Sequence, residues 1–334
     1  MQPIIESNLW SRLTHRFQFL ARDGVRPETP IGEHETALLG WNRVPGGGAL
    51  SLGSTADVTY AVVLMAALVC TLYGRVLESM AQQWVSDPNY GHGMLVPLFA
   101  AYILWRQRAL RKGVPTHGSN WGIVIMLAAI ALLILGTLAS EHFTARISLL
   151  FMISGIIVFL VGWRVLRSVA FPVGYLFFMI PLPAIIYYQL TFPLQLLASR
   201  LGARGLVALG VPTVREGNLL ILPNCTLEVV EACSGVRSLL SLLAAVVGYV
   251  YLFEPSMWKR CVLIAATIPI VIVSNGFRLV ATGLLSFSFG PGADAGMAHA
   301  GLGLLFFALA FLSVILVHRL LRHFKSNPVP VSVR

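Results

Sequence analysis

The stretch that decides the fold is VLIAATIPIVIVSNGFRLVATGLL, from Val262 to Leu285. Its 24 residues exceed the roughly 20 apolar residues that a helix needs to cross a bilayer. Inside it, Asn275 and Arg278 lie three residues apart and therefore share one helix face. An arginine at membrane depth is costly unless it faces the protein interior and has a partner. The stretch thus predicts a spanning helix with a functional candidate; the alternative is an arginine that only reaches the outer headgroups.

The composition of the whole chain agrees with a membrane protein. Of its 334 residues, 57% are hydrophobic and 11% charged, and the mean hydropathy is +0.78. These values lie outside the usual range for soluble domains. The net charge of +10 comes from short basic clusters between apolar runs, without the aromatic-interleaved basic stripe of nucleic-acid-binding proteins. We interpret the clusters as topology signals and do not expect nucleic acid as a partner.

Eight apolar runs predict an all-α polytopic fold with about eight transmembrane helices. The second and the sixth run are the shortest, against the roughly 20 apolar residues that a span needs and a lower limit near 17. The runs are Val58 to Tyr73, Gly93 to Trp105, Trp121 to Leu138, Ile147 to Trp163, Val165 to Leu182, Leu239 to Phe253, Val262 to Leu285 and Ala300 to Val317.

The distribution of lysine and arginine predicts the orientation of these spans. Short cytoplasmic loops carry the excess of basic residues, and basic clusters follow the second, fourth, sixth and eighth runs. Both termini are therefore expected in the cytoplasm. The predicted domains are an N-terminal tail at 1–56 without the features of a signal peptide, a multi-pass membrane domain at 57–318 and a basic C-terminal tail at 319–334.

The alternation of loops requires the region from Pro183 to Arg237 to lie wholly on the outer side. Ile185 to Leu209 is apolar enough for a ninth span, but a full crossing would invert every later loop. We therefore expect a re-entrant or interfacial helix there. Next, a Pro-Asn turn joins two β-rich runs, Leu219 to Leu222 and Thr226 to Val230, which predicts a small outer-side β-hairpin before the sixth span.

This topology brings a thiol, a guanidinium and an imidazole to the outer ends of three consecutive spans. Cys233 precedes the sixth span, Arg278 lies in the outer half of the seventh, and His299 stands at the mouth of the eighth. Each has a plainer interpretation, as a small packing residue, a headgroup contact or an interfacial histidine. Because the three groups converge at the outer ends of neighbouring spans, we predict a catalytic site there.

The three groups fit the needs of a cysteine peptidase. Such enzymes use the thiolate as nucleophile, and adjacent positive charge lowers the pKa of a thiol. Arg278 would supply this charge or stabilise the oxyanion of the tetrahedral intermediate. His299 would take the proton of the Cys233 thiol and give it to the leaving amine.

Further outer-side residues are candidates for substrate binding: Arg215, Glu231, Arg237, Asn275 and His92. An arginine holds a carboxylate through two parallel hydrogen bonds, whereas Arg237 has the alternative of a helix-end residue that snorkels. We expect Glu228 and Glu231 either to orient His299 or to pair with Arg237 or Arg215. The four cysteines have no metal-ligand spacing, so they do not predict a metal site. No other cofactor is predicted either.

The blocks EACSGVR from Glu231 and SNGFR from Ser274, followed by the distal His299, resemble the exosortase family of bacterial membrane transpeptidases. They match in identity, order and placement on the spans, and the similarity extends from about Thr55 to Leu316. The resemblance implies catalytic roles for Cys233, Arg278 and His299.

The resemblance also implies a substrate class and a location. Exosortases are thought to cleave exported proteins near a C-terminal Pro-Glu-Pro motif, which an apolar helix and an arginine cluster follow, through a cysteine thioester. The acyl group would pass to an acceptor that releases or anchors the client at the cell surface, often alongside exopolysaccharide production. The site would face the periplasm from the bacterial inner membrane, in contact with lipid. Any accessory protein would be a separate chain.

Two other classes of function stay open from the residues alone. A transporter would keep an intramembrane arginine, but it more often shows internal repeats and paired broken helices near the midplane, and no repeat is visible. A non-catalytic scaffold would need neither the thiol nor the arginine. The sequence does not distinguish hydrolysis from transpeptidation.

Overall fold

The computed structural model describes residues 55–108, 117–229, 235–290 and 297–323, without the side chains of 55–59, 61, 62 and 297–299. The predicted N-terminal tail and most of the predicted C-terminal tail lie outside these ranges. Ten α-helices form in the described residues. They are α1 (Thr55–Ser86), α2 (Leu95–Arg106), α3 (Trp121–Leu138), α4 (His142–Val161), α5 (Trp163–Ser168), α6 (Ala170–Tyr175), α7 (Ala184–Ala208), α8 (Val236–Phe253), α9 (Met257–Phe289) and α10 (Met297–His323).

Six of these helices are long and apolar enough to cross a membrane. The qualifying segments are Val63–Ser86 of α1, all of α3, α4, α8 and α9, and Ala300–His323 of α10. Helix α3 has the bounds of its apolar run, Trp121 to Leu138. The predicted membrane fold is thus confirmed in class, whereas the count of eight spans is not confirmed.

The second and fifth apolar runs account for the difference. Helix α2 has 12 residues and, at 1.5 Å per residue, is only about 18 Å long, well short of a hydrocarbon core of about 30 Å. The fifth run is divided into α5, α6 and a 3₁₀ turn at Leu176–Met179. Two prolines, Pro181 and Pro183, then separate this turn from α7, because neither can continue a helix.

Helix α7 covers the segment predicted as re-entrant or interfacial. It meets the preceding segment, Ala170–Met179, at an angle of 74°. The two together are apolar enough for one broken span, which would raise the number of crossings to seven. The bend fits a re-entrant helix as well as a broken span, so the re-entrant or interfacial helix stays a prediction and the spanning helix its alternative.

Helices α3 and α4 form an antiparallel pair with a close backbone approach. A β-carbon at Gly122 of α3 would lie 2.3 Å from the Phe159 nitrogen of α4, which explains why a glycine occupies this position. Glu141 is the N-cap of α4. Its carboxylate accepts hydrogen bonds from the Phe143 and Thr144 N–H groups. Such a cap satisfies donors that a helix start leaves unpaired.

Helices α8, α9 and α10 form the part of the bundle that carries most of the candidate site. Their shared core contains Leu242 and Val246 of α8, Val271 of α9 and Ala310 of α10, each at most 4% exposed. Helix α7 packs on α9 through a second core. Helix α6 connects to α8 through Tyr175, whose hydroxyl donates to the Ala244 carbonyl at 3.0 Å.

The predicted hairpin is confirmed and belongs to a three-stranded antiparallel sheet. Its strands are β1 (Val214–Glu216), β2 (Leu219–Ile221) and β3 (Thr226–Glu228), in that spatial order. Ser199 of α7 donates to the Gly217 carbonyl at 2.9 Å, and Asn224 donates to the Phe287 carbonyl at 2.8 Å. The sheet is therefore fixed to α7 at one turn and to the end of α9 at the other.

A buried polar cluster joins α8, α9 and α10 at the end of the bundle where α8 stops. His318 Nε2 lies 2.9 Å from Glu254 Oε2, and His318 Nδ1 lies 2.7 Å from the Tyr249 hydroxyl. Glu254 is only 4% exposed. Burial disfavours its charged form, but the Ser256 N–H, His318 and the nearby Lys259 outweigh burial and hold the pKa of the carboxyl below its ordinary value.

We expect Glu254→Gln to lower the free energy of unfolding by about 1–3 kcal/mol, because a buried hydrogen-bonded carboxylate loses its charge beside His318 and Lys259. Thermal unfolding of the detergent-solubilised protein measures this loss. Glu216→Gln, at an exposed residue of β1, should change stability by no more than about 0.5 kcal/mol. Equal effects of the two substitutions would contradict a stabilising role for the cluster. The Glu254 contribution should persist above the ordinary carboxyl pKa and disappear as the pH falls through the lowered pKa.

Candidate active site

Arg278 and Asn275 lie on the buried face of α9. Arg278 is 8% exposed and Asn275 5%, so both side chains face the protein interior and not the surroundings of the bundle. The guanidinium of Arg278 lies against α10, since a β-carbon at Gly303 would be 3.9 Å from Arg278 Cζ. A buried arginine of this kind is the arrangement expected for a functional group at membrane depth.

A small cavity adjoins these two residues where α8, α9 and α10 meet. Ser238 of α8 and Gly303 of α10 line it together with Asn275 and Arg278. Its free volume of about 10 Å³ is close to the smallest that holds one water molecule. The Ser274 hydroxyl donates to the Phe306 carbonyl at 2.8 Å and so fixes α9 to α10 beside the cavity.

Gly235 places the start of α8 against Asn275. Its φ of +87° lies in the left-handed region, which side chains other than hydrogen disfavour. A β-carbon there would also lie 3.1 Å from the Asn275 Cγ and Nδ2 atoms. Both features require glycine, so the backbone just after Cys233 in sequence is in close contact with the polar face of α9.

We expect Gly235→Ala to be more destabilising than Gly210→Ala. Gly210 has a similar φ of +84°, but a β-carbon there meets no atom within 4 Å. The two substitutions therefore share the backbone strain of about 1–2 kcal/mol, and only Gly235→Ala adds a collision with Asn275, which we estimate at about 1 kcal/mol or more. Thermal unfolding in detergent compares them. Equal losses of stability would show that Asn275 moves aside without cost.

Residues 87–94, which we call the 87–94 connector, join α1 to α2 and contact α8 at two points. Arg237 Nε donates to Asn89 Oδ1 at 3.0 Å. His92 Nδ1 lies 3.3 Å from the Ser241 hydroxyl. Arg237 and Ser241 are one helical turn apart, so the connector follows one face of α8 from its first turn.

His92 is a predicted site residue that lies beside an apolar cavity. The cavity has a volume of about 340 Å³ and is lined chiefly by α2 and α8, including Phe99 and Tyr249. Burial lowers the pKa of the His92 imidazole, against smaller opposing effects of the Phe178 and Asn89 carbonyls. Burial therefore favours the neutral form of this imidazole.

Arg215 and Glu228 lie in the sheet and do not form the expected ion pairs with the described residues. Arg215 Nη1 donates to the Gly217 carbonyl in the turn after β1. Glu228 is an exposed residue of β3, and no ion pair joins it to Arg215 or Arg237 among the described residues. Of the two alternatives for Glu228, pairing with Arg237 or Arg215 is not met, because Arg237 donates to Asn89 and Arg215 to a carbonyl. Orientation of His299 by Glu228 stays a prediction.

Three predicted site groups cannot be placed by their side chains. Cys233 and Glu231 lie outside the described residues, between Val229 and Gly235. His299 belongs to the first turn of α10, but its side chain is not described. The described backbone fixes both ends of the segment that contains Cys233: the Val229 N–H donates to the Asn218 carbonyl at 2.9 Å, and Gly235 abuts Asn275.

Two residues near the site were not predicted from sequence. Asn89 holds Arg237, and Ser238 lines the cavity beside Arg278. The signal for Asn89 is the Asp-Pro-Asn turn ahead of His92, which marks an ordered connector. Ser238 follows Cys233 by five residues in sequence and gives no comparable signal.

Residues 84–316 match the model of the family described as transmembrane exosortase. No curated protein and no solved structure matches the chain. The matched region covers more than half of the 334 residues and includes Cys233, Arg278 and His299. The chain therefore belongs to the transmembrane exosortase family.

Proposed function

We propose that this protein is a membrane-embedded cysteine peptidase or transpeptidase that cleaves the C-terminal sorting signals of exported proteins. The observation that carries the proposal is the placement of Arg278 and Asn275. Both are buried on one face of α9, and Asn275 lies so close to Gly235 that a β-carbon there would be 3.1 Å from its side chain. Since Cys233 precedes Gly235 by two residues, chain geometry limits the separation of their Cα atoms to about 7 Å.

The proposed reaction begins with attack of the Cys233 thiolate on the carbonyl carbon of the scissile peptide bond. A C–S bond forms, and the carbonyl electron pair moves to oxygen, where Arg278 stabilises the negative charge. The tetrahedral intermediate then expels the amine, to which His299 gives the proton that it took from the thiol. The products are a thioester on Cys233 and the released C-terminal fragment.

The acyl group is then transferred from the Cys233 thioester to an acceptor, whose oxygen or nitrogen forms the new bond to the acyl carbon. Water would yield hydrolysis, and an amine or hydroxyl group of another molecule would yield transpeptidation or a related acyl transfer. In each case the acceptor loses a proton, the C–S bond breaks and the Cys233 thiol is restored. No metal or other cofactor takes part in this scheme.

The distribution of basic residues supports an orientation for the site. With both termini in the cytoplasm of a bacterium, the first turn of α8 and the second half of α9 face the periplasmic side of the inner membrane. A client with a Pro-Glu-Pro motif, an apolar helix and a cytoplasmic arginine cluster would lie beside these helices with its motif at the site. Processing would link the client to surface anchoring and exopolysaccharide production, with any accessory protein on a separate chain.

Co-expression with a tagged client that carries such a tail tests the proposal. We expect a shorter client to accumulate only when this chain is present, together with a client adduct of the chain that neutral hydroxylamine releases, because hydroxylamine cleaves thioesters. A client whose Pro-Glu-Pro motif is scrambled serves as the control. An uncleaved client in membranes that hold normal amounts of this chain would overturn the proposal.

A further inference from the structure

Arg237 is a half-buried cation whose charge is not neutralised by the described residues. Its Nε donates to the neutral side-chain amide of Asn89 at 3.0 Å. Among the described residues, Nη1 and Nη2 donate no hydrogen bond, and no carboxylate lies within 4.0 Å of the guanidinium. A partly desolvated guanidinium with two unused terminal nitrogens favours an anion that accepts both of them.

Asn89 is held in place by its own neighbours. Its N–H donates to Asp87 Oδ1 at 2.9 Å, and the Tyr90 N–H donates to the Asp87 carbonyl at 3.0 Å. The Tyr90 ring packs with Tyr187 and Val236 in a buried cluster. Asp87, the acidic residue of the connector, thus stabilises the turn and does not neutralise Arg237.

We propose that Arg237, oriented by Asn89, binds the carboxylate of an acidic side chain in the client segment beside the scissile bond. The inference rests on the proposed function, because it assigns a subsite of that same site. Asn89 accepts from Nε and orients the guanidinium, so that Nη1 and Nη2 donate to the two oxygens of the carboxylate.

The position of Arg237 limits where the acidic residue lies in the client. Arg237 follows Cys233 by four residues, so their Cα atoms are at most about 14 Å apart. An extended peptide covers this distance in about four residues. The acidic side chain is therefore expected within about four residues of the bond that is cleaved, unlike the distant arginine cluster of the client.

The decisive variant is Asn89→Asp, assayed with two clients that differ only by glutamate or glutamine in the motif. Aspartate keeps the oxygen that accepts from Arg237 Nε but adds a carboxylate that neutralises the guanidinium. We expect Asn89→Asp to slow processing of the glutamate client by about tenfold or more, the loss of a charge-assisted hydrogen bond, and to leave the slower processing of the glutamine client nearly unchanged.

Other outcomes overturn the subsite. A purely structural Asn89–Arg237 contact predicts that Asn89→Asp processes the glutamate client at the wild-type rate or faster. A lipid phosphate on Arg237 predicts that the variant slows both clients equally. Absence of processing by the wild-type protein would overturn the proposed function together with the subsite.

A second variant keeps the test valid if Asn89→Asp does not accumulate in the membrane. Arg237→Lys preserves the positive charge but removes the planar fork. We expect it to slow the glutamate client by about tenfold and to affect the glutamine client little. Equal processing of the glutamate client by Arg237→Lys and wild type would reject a bidentate carboxylate at this residue.

Discussion

Cys233→Ala is expected to abolish cleavage of the co-expressed client. Without the thiol there is no nucleophile to form the thioester, and loss of the nucleophile from a catalytic unit typically lowers turnover by four to six orders of magnitude (~10⁴–10⁶). At that rate, no shortened client would be visible on a gel. The hydroxylamine-sensitive adduct should disappear as well, which separates loss of chemistry from weaker binding of the client.

Cys261→Ala is the matched control for this substitution. Cys261 is an exposed thiol of α9, 17 residues before Arg278 and therefore about 25 Å away along the helix axis. The Cys261→Ala variant should process the client at the wild-type rate. Cleavage by Cys233→Ala, with both variants in the membrane at normal amounts, would refute the nucleophile and leave a binding or transport role. A loss in both variants would indicate a general defect.

Much of the membrane fold follows from hydrophobic periodicity and length, and the exceptions have local causes. The run Trp121 to Leu138 became a helix with those bounds because nothing inside it opposes helix formation. The run Val165 to Leu182 did not, because the helix is interrupted at Val169, where the backbone is not helical, and Pro181 lies near the end of the run. Strand β1 was missed because three residues carry too little pattern; it forms by pairing with β2.

The candidate site was predictable where a residue conflicts with its surroundings. Arg278 and Asn275 are polar residues in an apolar run, and the structure buries both. The Arg237 contact was not predictable, since Asn89 is 148 residues away in sequence and meets Arg237 only when the connector folds onto α8. Pairings of this kind depend on packing between distant segments, which a single sequence does not encode locally.

Arg278→Gln is expected to reduce client processing by two to three orders of magnitude (~10²–10³), the typical cost of removing one group that stabilises a developing oxyanion. Glutamine retains hydrogen-bonding capacity but not the positive charge. If the charge also promotes the thiolate, Cys233 should react more slowly with a neutral alkylating reagent at pH 7 in the same variant. Arg278→Lys, which keeps the charge without the planar fork, should recover thiol reactivity more than processing.

The burial of Arg278 makes a stability control necessary, because loss of a buried, bonded side chain can unfold a protein. Arg319→Gln removes an exposed arginine of α10 and should leave processing and thermal unfolding at wild-type values. The catalytic assignment requires that Arg278→Gln lose processing while most of the protein remains folded and able to bind the client. If processing falls only in proportion to the folded fraction, the role of Arg278 is to hold α9 against α10. If folded Arg278→Gln processes the client normally, the oxyanion assignment is wrong, and the polar face of α9 serves another purpose.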